Sequence, residues 1–360
     1  MVKAAVLYEP KTPLVVEDVQ LEDPKQGEAL VKIAAAGVCH SDLSFIEGRW
    51  KIPTPLVMGH EGAGIVEKVG EGVTLVQPGD HVIFSWVASC GVCRNCSRGK
   101  PHLCAAGPLS TMKDGTTRLK KGDQALFHQT GVSSFAEYSV AHETSMVKIR
   151  DDMPLEKAAL ISCGVITGVS AVINAAKVEF GSSVAVFGCG GVGLNVVQGA
   201  NLAGATKIIA VDKLDNKLEM AKEFGATHVI NAAKEDPVAK IREITGGGAD
   251  YSFEVIGIPD VVAQAFDATE AGGTTVMVRM PPLRSPLTIN TLGLFLGKTL
   301  NGAYFGSAHF RIEMPALVEL YMAGRLKLDE LISRTYPLEA INDAFEAMKK
   351  GEALRSLIVF

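Results

Sequence analysis

The stretch CGVCRNCSRGKPHLC places four thiols, Cys90, Cys93, Cys96 and Cys104, within fifteen residues. Thiols this dense either pair as disulfides or hold a metal as thiolates. Their C-x2-C-x2-C-x7-C spacing suits four sulfurs about one zinc, a closed tetrahedron with no position for a substrate. Such a metal is structural and staples a loop with too little core of its own. A second set is scattered: Cys39 in AAGVCHSDL, His60 in VMGHEGAG and Cys163 in LISCGVITG. Two thiolates and an imidazole make a zinc site with an open fourth position, the arrangement of a Lewis-acid catalyst. Each residue alone has a plainer reading, because a buried cysteine usually packs and a lone histidine is usually a satisfied core residue. Their separation in sequence carries no information.

A third constellation suits phosphate. In SSVAVFGCGGVGLNVVQGANLAGATKIIAVD, Gly188, Gly190 and Gly193 form G-x-G-x-x-G after a buried strand, with Gly191 and Val192 inside the turn. The first glycine permits the tight turn, the second lets a pyrophosphate approach the backbone, and the third lets helix pack on strand. The helix then offers free N–H groups and its positive end to the phosphates. Asp212 closes the next strand nineteen residues after Gly193, where a carboxylate grips ribose hydroxyls and repels a 2′-phosphate. NAD is therefore expected rather than NADP. Lys217, five residues on, can add a contact to the same ribose, and Cys189 reads as a small packed side chain.

Two rhythms must position these groups. Residues 1–150 run as short alternating segments punctuated by Gly and Pro, such as EALVKIAAAGVC, GAGIVEKVG and DHVIFSW, which predict a β-rich, barrel-like body. Residues 181–305 alternate apolar strands with helix-length segments such as NKLEMAKEFG and PDVVAQAFDATEAGG, which predict a parallel, doubly wound sheet. A helix over MPALVELYMAGRLK and a final strand SLIVF return to the first rhythm, so the nucleotide-binding domain reads as an insertion.

The 360 residues suffice for two domains with separate cores. A net charge of −5 argues against nucleic acid or an anionic membrane as partner, and basic clusters such as RLKK at 118–121 read as solvated loop. The opening MVKAAVLYEP reads as strand and turn rather than signal peptide, and no apolar run is expected to reach membrane-spanning length. A cytoplasmic location follows by default. Its reducing conditions make the seven cysteines metal ligands or buried thiols rather than disulfides.

The segments GHEGAGIVEKVG, GVCHSD, GCGGVG and the four-cysteine lobe resemble the zinc-dependent, medium-chain alcohol dehydrogenase family, in that family's order and along the whole chain. The loop GPLSTMKDGTTRLKKGDQALFHQTG resembles the longer form of the dimeric class I and class III branch. The resemblance implies a GroES-like β-rich catalytic domain, residues 1–164 and 305–360 with the zinc lobe at about 89–105, split around a Rossmann domain at 165–304. It implies two zinc ions per chain and NAD. The partner is a small alcohol or aldehyde, and the assembly a homodimer, with a tetramer as alternative.

Carried over by motif, Cys39, His60 and Cys163 become catalytic zinc ligands, with Glu61 beside the metal and Asp42 holding the His60 imidazole. Ser41 takes the substrate proton, His40 touches the cofactor pyrophosphate, Thr167 packs beside the nicotinamide and Arg355 reaches the phosphates. Trp50 and Trp86 fall in segments that line the family's substrate pocket, an aromatic wall that favours apolar or aromatic alcohols; core packing is the bland alternative. Three residues depart from the pattern. Ser44 replaces a relay histidine, Arg279 replaces a small residue, and Trp50 replaces the acid that the glutathione-dependent formaldehyde branch uses. The expected activity is NAD-dependent oxidation of primary or secondary alcohols. A thiol-adduct formaldehyde dehydrogenase and a polyol dehydrogenase are the rivals. A zinc-ribbon nucleic-acid module conflicts with the acidic balance, and a scaffold without catalysis conflicts with the full set of ligands.

Overall fold

Six apolar segments from the middle of the chain lie side by side as a parallel sheet. Their order is His228–Asn231, Lys207–Asp212, Ser183–Phe187, Ala249–Glu254, Thr269–Met277 and Thr299–Gly302. Chain order reverses between Lys207–Asp212 and Ala249–Glu254, either side of Ser183–Phe187, which is where doubly wound sheets bind ligands. Ser183–Phe187 is buried at every position, as a strand covered on both faces must be. This is the computed structural model of residues 1–107, 109–351 and 353–360; Pro108 of the long loop and Glu352 of the closing segment lie outside the described residues. The chain divides into one unit of Met1–Cys163 with His309–Phe360 and another of Gly164–Ala308, the unit that holds the parallel sheet.

The first unit is β-rich. Val2–Leu7, Val15–Leu21, Leu119–Lys121, Gln124–His128 and Leu56–Val57 close a barrel around Val6, Val19, Leu119 and Leu126. A second sheet is organised by the long strand Glu28–Val38, which pairs with Ala63–Val69, Tyr138–His142 and Arg355–Val359. The last pairing sets Ser356 opposite Val38 and Leu357 opposite Gly37. The C-terminal strand therefore lies beside the residues that lead into Cys39.

Three expectations are corrected. PDVVAQAFDATEAGG is not one helix: the helix Pro259–Ala268 ends where the β-branched Thr269 begins a strand. RLKK is not solvated loop. Arg118 is fully buried, because Glu28 meets it with both carboxylate oxygens at 2.8 and 2.7 Å, and Lys120 and Lys121 pair with Glu22 and Glu17. The run 155–176 is long and apolar enough to cross a membrane by length and composition, but 78% of its apolar window is buried inside the protein, as in a core helix.

Candidate metal and dinucleotide sites

Cys39 follows the last residue of Glu28–Val38 and caps the helix His40–Ile46. Asp42, in that helix's first turn, accepts the Cys39 N–H at 3.2 Å through Oδ2. His60 and Glu61 lie between the strands Leu56–Val57 and Ala63–Val69. Cys163 sits in a π-helical turn, Ile161–Val165, the local widening by which helices often present functional side chains. Folding brings one donor atom from each of Cys39, His60, Glu61 and Cys163 within 4.8 Å of the others.

The chemistry of this set fits a dication. Asp42 Oδ1 accepts from His60 Nδ1 at 2.7 Å, which leaves Nε2 as the ring's free donor atom. Burial opposes charge on His60, but the Asp42 carboxylate and the Cys39 sulfur outweigh it and make the ring strongly basic. Contact with the Cys163 thiol, aided by His60, draws Cys39 well below the usual thiol range, and the same contact with burial drives Cys163 well above it. Glu61 is wholly buried and pushed up to about 7, chiefly by burial. Its Oε2 pairs with Arg355, while Oε1 has no hydrogen-bond partner among the described residues and stands 4.0 Å from His60 Nε2. Gly37 makes room for this pair, since a Cβ there would stand 2.0 Å from Glu61 Oε2. Arg355, expected at cofactor phosphates, thus has its guanidinium on Glu61.

The four-cysteine lobe gathers separately. One sulfur from each of Cys90, Cys93, Cys96 and Cys104 lies within 4.8 Å of the rest. The Cys93 and Cys104 sulfurs are 3.9 Å apart, far beyond the roughly 2.05 Å of a disulfide and close to the edge of a tetrahedron with metal–sulfur bonds of about 2.3 Å. Backbone N–H groups support them: Cys93 donates to Cys90 Sγ at 3.3 Å and Cys90 to Cys104 Sγ at 3.4 Å. Such donors, first among them at Cys96, draw the Cys93 thiol down to about 6.

In the second unit, Gly190 caps the helix Gly191–Leu202. A Cβ on Gly193 would fall 1.8 Å from the Gly188 carbonyl oxygen, so only glycine fits, whereas a Cβ on Gly190 meets nothing within 4 Å. The tight position closes the turn and the open one leaves the backbone accessible, as a pyrophosphate cradle requires. Asp212 braces the loop by accepting the Cys189 N–H at 2.8 Å, and also takes the N–H of Lys213 at 2.8 Å. Lys217 is half-buried on the next helix, Asp215–Glu223, and Cys189 is a fully buried thiol raised by that burial. Thr167 is buried in this unit at the start of the helix Ile166–Ser170, and Arg279 is half-buried beyond Thr269–Met277.

His40 is exposed and Ser41 half-exposed on the helix that Cys39 caps. The buried Ser44 donates to the His40 carbonyl at 3.0 Å. Trp86 meets the His60 ring edge-on with centroids 6.4 Å apart, and Trp50 packs edge-on to Phe45 at 5.4 Å. The sequence reading missed Gln129, whose side chain bonds both Asp42 and Gly59. Partners 87 and 70 residues away leave no local signal.

Residues 25–151 match the family model described as alcohol dehydrogenase GroES-like domain, and residues 191–323 match zinc-binding dehydrogenase. An alcohol dehydrogenase class-3 of Dictyostelium discoideum is 41% identical over 367 residues, covering 99% of this chain and 97% of that protein. Among solved structures, an alcohol dehydrogenase zinc-binding domain protein from Burkholderia ambifaria superposes with TM-score 0.96 at 39% identity, covering 100% and 98% of the two chains. A benzyl alcohol dehydrogenase from Acinetobacter calcoaceticus gives TM-score 0.95 at 36% identity, covering 100% and 99%.

Proposed function

The chain belongs to the zinc-dependent alcohol dehydrogenase family, and from that premise we propose that it converts apolar or aromatic primary and secondary alcohols to aldehydes or ketones with NAD⁺, yielding NADH and a proton. The observation that carries this reading is the convergence of Cys39, His60 and Cys163, with the orphaned Glu61 Oε1, in one buried cluster.

In this reading Cys39, His60 and Cys163 hold the catalytic zinc, and Cys90, Cys93, Cys96 and Cys104 hold a structural one. Bound zinc supplies Lewis acidity, which draws electron density from the alcohol oxygen and loosens its proton. The dinucleotide supplies the hydride acceptor. Asp42 keeps the His60 proton on Nδ1, so that Nε2 remains a ligand. Ser41, one residue before Asp42 on the same short helix, receives the substrate's hydroxyl proton. Ser44 is engaged with the His40 carbonyl, so Ser41 would pass the proton outward to water. Arg355 anchors one oxygen of Glu61 and leaves the other free to assist exchange of groups at the metal.

The N–H groups of Gly190 to Gly193 receive the pyrophosphate. Asp212 and Lys217 take the ribose, and Thr167 the nicotinamide. Trp86 sets an aromatic edge at the ligand His60, and likeness to a benzyl alcohol dehydrogenase supports an aromatic substrate. We place the protein in the reducing cytoplasm, where these thiols persist as ligands. A homodimer is the proposed assembly: the outer sheet strand Thr299–Gly302 follows in the chain the exposed Leu292, Leu294, Phe295 and Leu296.

Initial rates with benzylic, aliphatic, secondary and polyol substrates, each with NAD⁺ and NADP⁺, test the reading. Higher kcat/KM for benzylic alcohols with NAD⁺ and two zinc ions per chain are expected. Preference for polyols or a thiol adduct overturns the substrate class, and one zinc per chain overturns the two-site assignment.

A further inference from the structure

Gln129 is 1% exposed and uses both ends of its side chain. Its Oε1 accepts the N–H of Gly59, the residue before His60, at 2.6 Å. Its Nε2 donates at 2.7 Å to Asp42 Oδ1, the same oxygen that takes the His60 Nδ1 proton at 2.7 Å. Only one amide orientation satisfies both contacts, because a carboxylate accepts and a backbone N–H donates. The backbone of Gln129 is pinned as well. Its N–H donates to Ser133 Oγ at 3.1 Å, and that hydroxyl donates to the Val57 carbonyl at 2.9 Å.

We propose that Gln129 is a positioning residue of the metal centre, fixing through Asp42 the ring of His60 and through Gly59 its backbone. The inference rests on the zinc reading of Cys39, His60 and Cys163. A neutral amide suits the task. It adds a donor to a fully buried carboxylate without adding charge, so the oxygen that receives His60 Nδ1 is held in place from two sides. A glutamate of equal size would oppose one carboxylate with another. A leucine would fill the space but leave the Gly59 N–H unpaired and Asp42 Oδ1 with a single donor.

Zinc release from the purified holoenzyme into a chelator, read with a chromogenic metal indicator, tests this and needs no turnover. The four-cysteine zinc is an internal control, because the Gln129 side chain, among the described residues, bonds Gly59 and Asp42 and not the four cysteines. With Gln129→Leu and Gln129→Glu, one zinc per chain should leave about 10–100-fold faster, the usual effect of losing an outer partner, while the other leaves at the wild-type rate. Asp42→Asn is the reference for the same zinc. If Asp42→Asn speeds release and both Gln129 variants stay within about twofold of wild type, the inference fails and the zinc reading stands. If none of the three variants alters release, the zinc reading fails and the inference with it. Accelerated loss of both zincs in the Gln129 variants overturns positioning in favour of a general packing role.

Discussion

Removing Glu28 should expose how the long loop is held. Arg118 is fully buried, and Glu28 meets its Nε at 2.8 Å and its Nη2 at 2.7 Å. Glu28 Oε2 also accepts the Lys25 N–H at 2.9 Å. Glu28→Ala therefore deletes two charge-assisted bonds, leaves a buried cation short of its main counterion and leaves a backbone N–H unpaired. Breaking a buried pair this way costs about 3–5 kcal/mol. Asp114 remains at 2.8 Å from Arg118, but its side chain is 43% exposed and offsets only about 0–1 kcal/mol. The net loss is about 2–5 kcal/mol, which lowers a urea midpoint by roughly 0.7–1.7 M at a slope near 3 kcal/mol/M. Both tryptophans, Trp50 and Trp86, lie in the same unit, so intrinsic fluorescence reports its unfolding. Asp114→Ala should cost about 1 kcal/mol or less. Glu28→Leu combined with Arg118→Met should lie close to wild type, since no unpaired charge is left behind. A Glu28→Ala cost below about 1 kcal/mol, or a double variant as unstable as the single one, would refute the reasoning.

Other expectations concern acid, cofactor and metal. Burial, with the charge of Arg118, lowers the His128 imidazole to about 3, and its Nε2 accepts the Arg118 N–H at 3.1 Å. The unfolded chain, with His near 6.5, then binds more protons than the folded one, so this stability is present above about pH 6.5 and is lost as pH falls toward 3. The stability advantage of wild type over His128→Gln should shrink between pH 7 and 5 by up to about 1.4 kcal/mol per unit; a constant difference across that range counts against it. Asp212→Ala should raise the Kd for NADH about 10–100-fold by fluorescence titration, as losing charged hydrogen bonds implies, and narrow discrimination against NADPH; unaltered affinity would remove Asp212 from the ribose. Cys104→Ser should leave about one zinc per chain, held by Cys39, His60 and Cys163, whereas Cys163→Ser should lose that zinc and turnover together. Retention of full turnover by Cys163→Ser would exclude it as a ligand.

What was legible in the sequence was local. The glycine loop, the four-cysteine spacing and the strand–helix rhythm each depend on residues within a few turns of one another. Their geometry is set by short-range sterics, as the 1.8 Å between the Gly188 oxygen and a Cβ on Gly193 shows. Period-two and period-3.6 patterns reflect which faces are buried, so the β-rich unit and the parallel sheet could both be anticipated. RLKK was misread because a charged residue gives no local sign of a buried partner 90 residues away. The helix Pro259–Ala268 was read too long because an apolar run continuing into β-branched residues has no unambiguous stop.

The sequence by itself determined the inventory: which side chains can ligate, which turn can cradle phosphate, and which segments are strands or helices. Tertiary structure decided the company those side chains keep. It set Arg355 on Glu61, Gln129 between Asp42 and Gly59, and Cys163 in a widened helical turn facing Cys39 and His60. Those pairings span 70 to 294 residues. Their energy comes from desolvated charges and hydrogen bonds that exist only once distant strands have closed around them.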